Sequence, residues 1–428
     1  MRLQFISQFF GPDSAAVGQF LSDAAHGAAE AGHGVRVICG RSDYMACEAG
    51  NREGIRDGFS RTARPDGGKS SHGSIEVIRV GHLAFSHSRA KKLLSYATFY
   101  AGATWKALCG PRPDVVLTMT APPGLAWIGW LLQRVRGCRH VVWEMDVYPD
   151  IAVALGMPLP GWLGGVLDYP RRRADAVIAL GDCMKGRLLL HRIPEERIRV
   201  AENWADGRKT YPLPFPEYPP LRILYSGNLG LAHDLATITG VMGRLADHPG
   251  FHFDFAGGGP QRKELDDFCS RRGIGNASFR PYVRHELLGA SLAEGHIGLV
   301  TQKPATLGAV VPSKTYGLMA AGRPVLYIGP AAATPALLIR RFDCGWHFEC
   351  GDVEGVVGLL THLLAHTEEI HEKGECGRKA FLEHYDKPAG VARICRALGL
   401  ETPEMRPAEG GLPTRRRLTT CPTSKEHV

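Results

Sequence analysis

The chain has 428 residues, of which 44% are hydrophobic and 22% charged; it is too long for one ordinary core and too apolar to be disordered throughout. Its net charge of +8 favours anionic partners such as nucleotides, phosphates or an acidic bilayer surface, without choosing among them. The 11 Cys are scattered with no CxxC pair, which points to neither a zinc site nor a disulfide framework and fits a reducing compartment.

The opening MRLQFISQFF lacks the basic start, long apolar run and small-residue cleavage site of a signal peptide, so export is not expected. RLQFISQF at 2–9 reads as a buried strand, and FFGPD breaks it before Asp13 or Ser14 caps a helix running toward Gly32. VRVIC at 35–39 is the next strand, and the Gly- and charge-rich stretch from Asn51 to Ser74 is a long excursion. Strands follow at 75–80, 114–120, 140–146, 176–180 and 197–203, with helices from Arg89 to Leu108 and over GLAWIGWLLQRV. Strands alternating with helices imply a parallel sheet covered on both faces.

The Pro-rich stretch 205–220 has no periodic pattern and reads as a linker between a first domain, 1–204, and a second, 221–375. The alternation restarts with strands at 221–227, 251–257, 277–283, 296–302 and 324–329. A helical segment over 376–400 closes the fold and can cross back to the first domain, and 401–428 reads as a disordered tail. Ligands of such sheets sit at the carboxyl ends of strands, so two facing halves place one ligand site in the cleft between them.

The densest signal is AVVPSKTYGLMAAGRP at 309–324. Pro312 and Ser313 mark a helix start, with Ser313 able to cap, and Gly322 and Pro324 mark its stop. Lys314 is a cation in the first turn, where it opposes the helix dipole by roughly 0.3 to 1 kcal/mol. It reads either as a phosphate seat or as a lysine leaning into solvent. Gly11 and the run Gly257, Gly258, Gly259 can let backbone approach a phosphate, and plain tight turns use glycine for the same steric reason. Asp146 ends a strand at the cleft edge and can orient or deprotonate a hydroxyl, or cap the turn after it; Glu144 could share its face.

Seven segments, in order, carry a family resemblance: FFGPD, GHGVRVICG, EMDVYPDIAVALG, AENWAD, YSGNLGLAHD, FAGGGPQRKEL and VPSKTYGLMAAGRPVL. Up to about Leu400 the chain resembles glycosyltransferase family 4, in its bacterial cell-surface polysaccharide and exopolysaccharide branch. The resemblance implies the α/β GT-B fold, two Rossmann-like doubly wound parallel-sheet domains facing across a cleft. It also implies a hexosyltransferase moving a sugar from a nucleotide diphosphate sugar, with retention at the anomeric carbon and no metal or other cofactor. Catalytic roles fall to Asp146 and Lys314. Donor binding falls to Gly11, Gly227, Asn228, His233, Gly257, Gly258, Gly259, Pro312, Ser313 and Lys314.

No Asp-x-Asp pair occurs in the chain, so Lys314 and nearby backbone must supply the positive charge facing a leaving diphosphate. The chain departs from the broader family at Ala309 and Gly317, where that family carries two Glu, and at Asn228 and His233, where it carries a basic pair. A catalytically silent nucleotide-binding or partner subunit is therefore an alternative, as is a sugar-nucleotide epimerase. The implied acceptor is a saccharide, polyprenyl-linked or soluble, with no nucleic-acid partner. The expected place is the cytoplasm, peripheral on an anionic membrane surface. Its longest apolar run, 121–132, is short of the ~20 residues a spanning helix needs. Arg89, Lys91 and Lys92, followed by Leu93, Leu94, Tyr96, Phe99, Tyr100 and Trp105, form a candidate docking segment or an ordinary helix packed on the sheet.

Overall fold

The computed structural model describes residues 1–11, 16–40, 73–81, 89–246 and 248–401. Asp13, Ser14, most of the 51–74 excursion and the tail from 402 lie outside the described residues.

The first sheet holds seven parallel strands: β1 (Arg2–Ile6), β2 (Gly34–Gly40), β3 (Ile75–Val80), β4 (Val115–Met119), β5 (Arg139–Trp143), β6 (Ala176–Ala179) and β7 (Ile198–Val200), in the order β3-β2-β1-β4-β5-β6-β7. Every residue of β4 and β6 is buried, as expected of strands covered on both faces. The covering helices are α1 (Ala16–Glu30), α2 (Arg89–Leu108), α3 (Ala126–Arg136), the short α4 (Asp150–Ala154), α5 (Trp162–Arg171) and α6 (Asp182–Leu190).

The second sheet has six parallel strands: β8 (Leu221–Ser226), β9 (Phe251–Ala256), β10 (Ala277–Arg280), β11 (Ile297–Thr301), β12 (Val325–Ile328) and β13 (Gly345–Phe348), ordered β10-β9-β8-β11-β12-β13. Around it lie α7 (Ala236–Arg244), α8 (Arg262–Arg272), α9 (Leu288–Ala293), α10 (Lys314–Ala320), α11 (Thr334–Phe342), α12 (Val353–Leu363) and α13 (Glu368–Ala380). In each sheet the chain reverses direction once, at β1/β4 and at β8/β11. These are the switch points where crossover helices part and leave a crevice.

A last helix, α14 (Lys387–Leu398), returns to the first domain. Val391, Ile394, Cys395 and Leu398 join the core built from β1, β5 and α1. The contact is close because both helices present glycine: a Cβ on Gly27 would meet Val391, and one on Gly390 would meet the Trp204 ring. Arg323, fully buried, ties the proline-rich segment to α9 by donating to the carbonyls of Leu213 and Pro214 in the segment and of Ala293 in the helix.

Candidate active site

On the second domain the site is built at the β8/β11 switch point. Gly227 follows β8 with φ +126°, a conformation that L side chains rarely adopt, and a Cβ there would meet Lys314 Cε at 2.6 Å. The missing side chain is the slot through which Lys314 reaches the end of β8. Its ammonium donates to the Tyr225 hydroxyl, to the Asn228 carbonyl (3.1 Å) and to His233 Nε2 (3.2 Å), and it lies 4.2 Å from the Tyr225 ring centroid.

The bonding around this ammonium assigns the His233 tautomer. Nδ1 lies 2.7 Å from the Thr301 carbonyl and must carry the proton, which leaves the Nε2 lone pair facing Lys314. Burial, with Lys314 adding to it, pushes the His233 pKa down to about 3, so the ring is neutral. Burial likewise lowers the Lys314 pKa from 10.5 to about 7. No carboxylate among the described residues offsets that penalty. All three acceptors of the ammonium are neutral, and Lys314 takes part in no ion pair among the described residues.

The glycine run packs behind this seat. A Cβ on Gly257 would meet the Gly227 carbonyl at 2.1 Å and one on Gly259 would meet Asn228 Oδ1 at 2.4 Å. Backbone bonds Gly227 N–H to Ala256 O and Leu229 N–H to Gly258 O then zip the two loops together. Gly257, Gly258 and Gly259 therefore serve loop-to-loop approach, and α8 starts only at Arg262. Ser313 already has helical angles and its hydroxyl makes no capping bond, which corrects the reading of it as a side-chain cap. Pro312 and Ser313 are half-buried beside Lys314, and Gly322 ends α10 at φ +65°.

On the first domain the candidate carboxylate lies in the segment after β5. The strand ends at Trp143, and the backbone amides of Met145 and Asp146 donate to Thr120 Oγ1 at 3.0 and 3.3 Å. Asp146 pairs with Val310 in an isolated antiparallel bridge, and Val147 N–H donates to Ala309 O at 2.8 Å. The loop that carries Lys314 into the second domain thus also touches the Asp146 segment. Ala309, one of the two departures from the family pattern, is fully buried in that contact. The Asp146 carboxylate accepts no hydrogen bond from the described residues. Burial and the nearby Glu144 raise its pKa from 3.8 to about 6.

Glu144 is engaged in a pair of its own. It is fully buried and paired with Arg171, whose Nε lies 2.7 Å from its Oε1. Arg171 also binds Asp168 and the Tyr148 carbonyl. His191 bridges Asp168 (2.8 Å) and Asp150 (2.9 Å), and these two bonds raise its pKa to about 9, keeping it charged at neutral pH. Burial pushes Asp150 up, but the His191 bond and the neighbouring Arg187 outweigh it and hold the carboxyl below its usual range. Arg187 completes the chain by donating to the Leu307 carbonyl of the second domain. A line of alternating charges therefore runs beneath Asp146 to the loop that meets it.

Gly11 lies elsewhere on the first domain, its N–H donating to Ser22 Oγ and its carbonyl accepting from Arg79; no hydrogen bond joins it to the Lys314 cluster. In α2 the aromatics are largely structural: Phe99 is fully buried and Tyr100 donates to the Pro123 carbonyl, while Leu94 and Trp105 face outward. The side chains of Arg89, Lys91, Lys92 and Leu93 lie outside the described residues. No helix among the described residues is long and apolar enough to cross a membrane.

Sequence reasoning missed Tyr225, Gln302 and the charge line. Tyr225 looks like one more core residue in LRILYSG, yet its hydroxyl donates to Asn228 O and receives Lys314. Gln302, buried after β11, ties the 302–310 loop through Thr306 O, Val310 O and the Tyr327 hydroxyl. The polar residue closing the apolar strand HIGLVTQ was the available signal.

Two doubly wound parallel-sheet domains of this kind form the GT-B architecture of glycosyltransferases. Residues 16–204 match the model of the glycosyl transferase 4-like domain. The chain is 25% identical over 338 residues to the colanic acid biosynthesis glycosyl transferase WcaI of Escherichia coli strain K12, covering 73% of this chain and 79% of that one. Among solved structures, sucrose-phosphate synthase of Thermosynechococcus elongatus superposes with a TM-score of 0.69 at 16% identity, covering 92% of this chain and 98% of the other. HepE of Anabaena, in complex with UDP and glucose, gives 0.68 at 12% identity, covering 93% and 99%. These two likenesses establish the fold.

Proposed function

We propose that the chain transfers a hexose from a nucleotide diphosphate sugar, with retention at the anomeric carbon and without a divalent metal. The acceptor is a saccharide on a polyprenyl lipid, presented at the inner face of the cytoplasmic membrane for cell-surface polysaccharide synthesis. The observation that carries this reading is the Lys314 ammonium, held at a switch point by neutral acceptors alone. A half-buried, desolvated cation without a counter-charge is costly, and a bound diphosphate removes the cost by supplying the missing anion. The same cation stabilises charge developing on the leaving group, already oriented by Tyr225, Asn228 and His233. The Asp146 carboxylate, without a hydrogen bond among the described residues and with a pKa of about 6, is suited to receive an acceptor hydroxyl proton near neutral pH. The name of the colanic acid relative supports the polysaccharide assignment, and the UDP complex of HepE supports a nucleotide-linked donor.

The test is a panel of nucleotide sugars offered with a polyprenyl-diphosphate saccharide in the presence of EDTA, with the product's anomeric configuration read by NMR. A glycosylated lipid with the donor's configuration is expected. An epimerised donor would make the chain an epimerase, and binding without turnover would make it a silent subunit. An absolute need for magnesium or manganese would mean that Lys314 is not the source of the positive charge.

A further inference from the structure

Among the described residues, five of the seventeen exposed large apolar side chains fall within fourteen positions: Val153, Met157, Leu159, Trp162 and Val166. Trp162 is 68% exposed and Val153 57%, so neither gains its burial energy from the fold. Isolated surface apolar residues are ordinary, but a local cluster marks a surface with a partner. The segment projects between α4 and α5 as GMPLPGW, and none of residues 151–167 is charged.

The charges at its ends identify the partner. Asp150 and Asp168, the acids on either side, both turn inward to His191, so the outer face carries no negative charge from them. At the far end of α5 the surface changes to aromatic rings and arginines. Arg173 lies over Tyr169 at 3.7 Å, Trp127 stacks on Tyr169 at 5.3 Å, and Arg134 lies 5.9 Å from the Trp130 ring. An uncharged tip, then amphipathic rings, then exposed cations is the order of polarity met on leaving the acyl region of a bilayer for its phosphates.

We infer that the 153–166 projection is a membrane-docking surface. Its tip enters the headgroup–acyl boundary of an anionic bilayer, and Arg134 and Arg173 meet lipid phosphates. The inference rests on the proposed work at the membrane and names the surface responsible, one distinct from the basic start of α2. The projection begins seven residues after Asp146. Docking there brings the acceptor wall of the cleft to the lipid surface, where a headgroup-borne saccharide is presented.

The test is flotation of the full chain with vesicles of phosphatidylcholine containing one quarter phosphatidylglycerol, at low and high salt. Leu159→Ser with Trp162→Ser should lower binding roughly tenfold, since two buried apolar side chains dominate interfacial partitioning. Arg134→Glu with Arg173→Glu should remove the salt-sensitive part of binding. Trp fluorescence of the wild type should shift to shorter wavelength on adding vesicles, and the shift should be lost in Trp162→Ser. A tip variant that floats like the wild type, or a wild type that does not float, overturns the inference. So does a wild type that is dimeric by light scattering while the tip variant is monomeric, because the patch would then be covered by a second copy. Donor hydrolysis without lipid should be equal in the wild type and the tip variant. Its absence in both would sink the transferase reading while leaving the flotation result to stand or fall alone.

Discussion

Replacing Lys314 by Met is expected to make the ligand-free protein more stable and far less active. In the folded chain burial lowers the lysine pKa to about 7, whereas the unfolded chain keeps it near the ordinary 10.5. The unfolded state therefore binds more protons between those values, and stability rises with pH across that window. At pH 7 the penalty has an upper bound of about 4 kcal/mol, at about 1.36 kcal/mol per pKa unit. The Tyr225 ring and residual solvent contact offset part of it, so about 2 kcal/mol is the working figure. That corresponds to a rise of about 4 to 8 °C in the melting midpoint of a domain of this size. Thermal unfolding at pH 7 and near pH 10.5 is the assay: the Met variant should melt higher at the first pH and lose its advantage at the second. Its turnover should fall by about 10² to 10³, the scale for one preorganised donor at a developing charge. A Met variant that melts lower at pH 7, or that keeps full turnover, refutes the account of Lys314 as an uncompensated cation awaiting an anion.

Asp146→Asn should abolish most turnover while leaving nucleotide affinity within about twofold in a binding titration. Because the folded pKa of Asp146 is raised to about 6, its ionised form costs stability above pH ~4, and the Asn variant should melt higher at neutral pH. Loss of stability together with activity would make Asp146 a structural residue. His191 has the opposite linkage. Its raised pKa of about 9 gives stabilisation that is complete below pH ~6.5 and lost as pH climbs through about 9. His191→Gln should flatten that alkaline loss, worth about 1 to 3 kcal/mol, and a variant with the wild-type profile would exclude His191 as its source. Gly227→Ala, which sets a Cβ against Lys314 at φ +126°, should cost about 1 to 3 kcal/mol of stability and displace the lysine; unchanged donor affinity and turnover would show that the slot is dispensable.

The periodic parts of the sequence were enough to place nearly every strand, because a parallel strand covered on both faces must be apolar along its length, as VVLTM and VLYI are. They were enough for α10 as well, whose stop is written in Gly322 and Pro324. The edge strand GWHF was missed, being four residues long, half-exposed and interrupted by His347. Partner choice was not legible, because it depends on what lies within hydrogen-bond distance once distant segments meet. Lys314 finds Tyr225 and His233 across 89 and 81 residues, and Arg187 reaches Leu307 across 120. Glu144 and Asp146, two positions apart, look equivalent in the sequence. Only the fold puts Arg171 against the first and leaves the second, among the described residues, without a hydrogen-bond donor, so that burial raises its pKa.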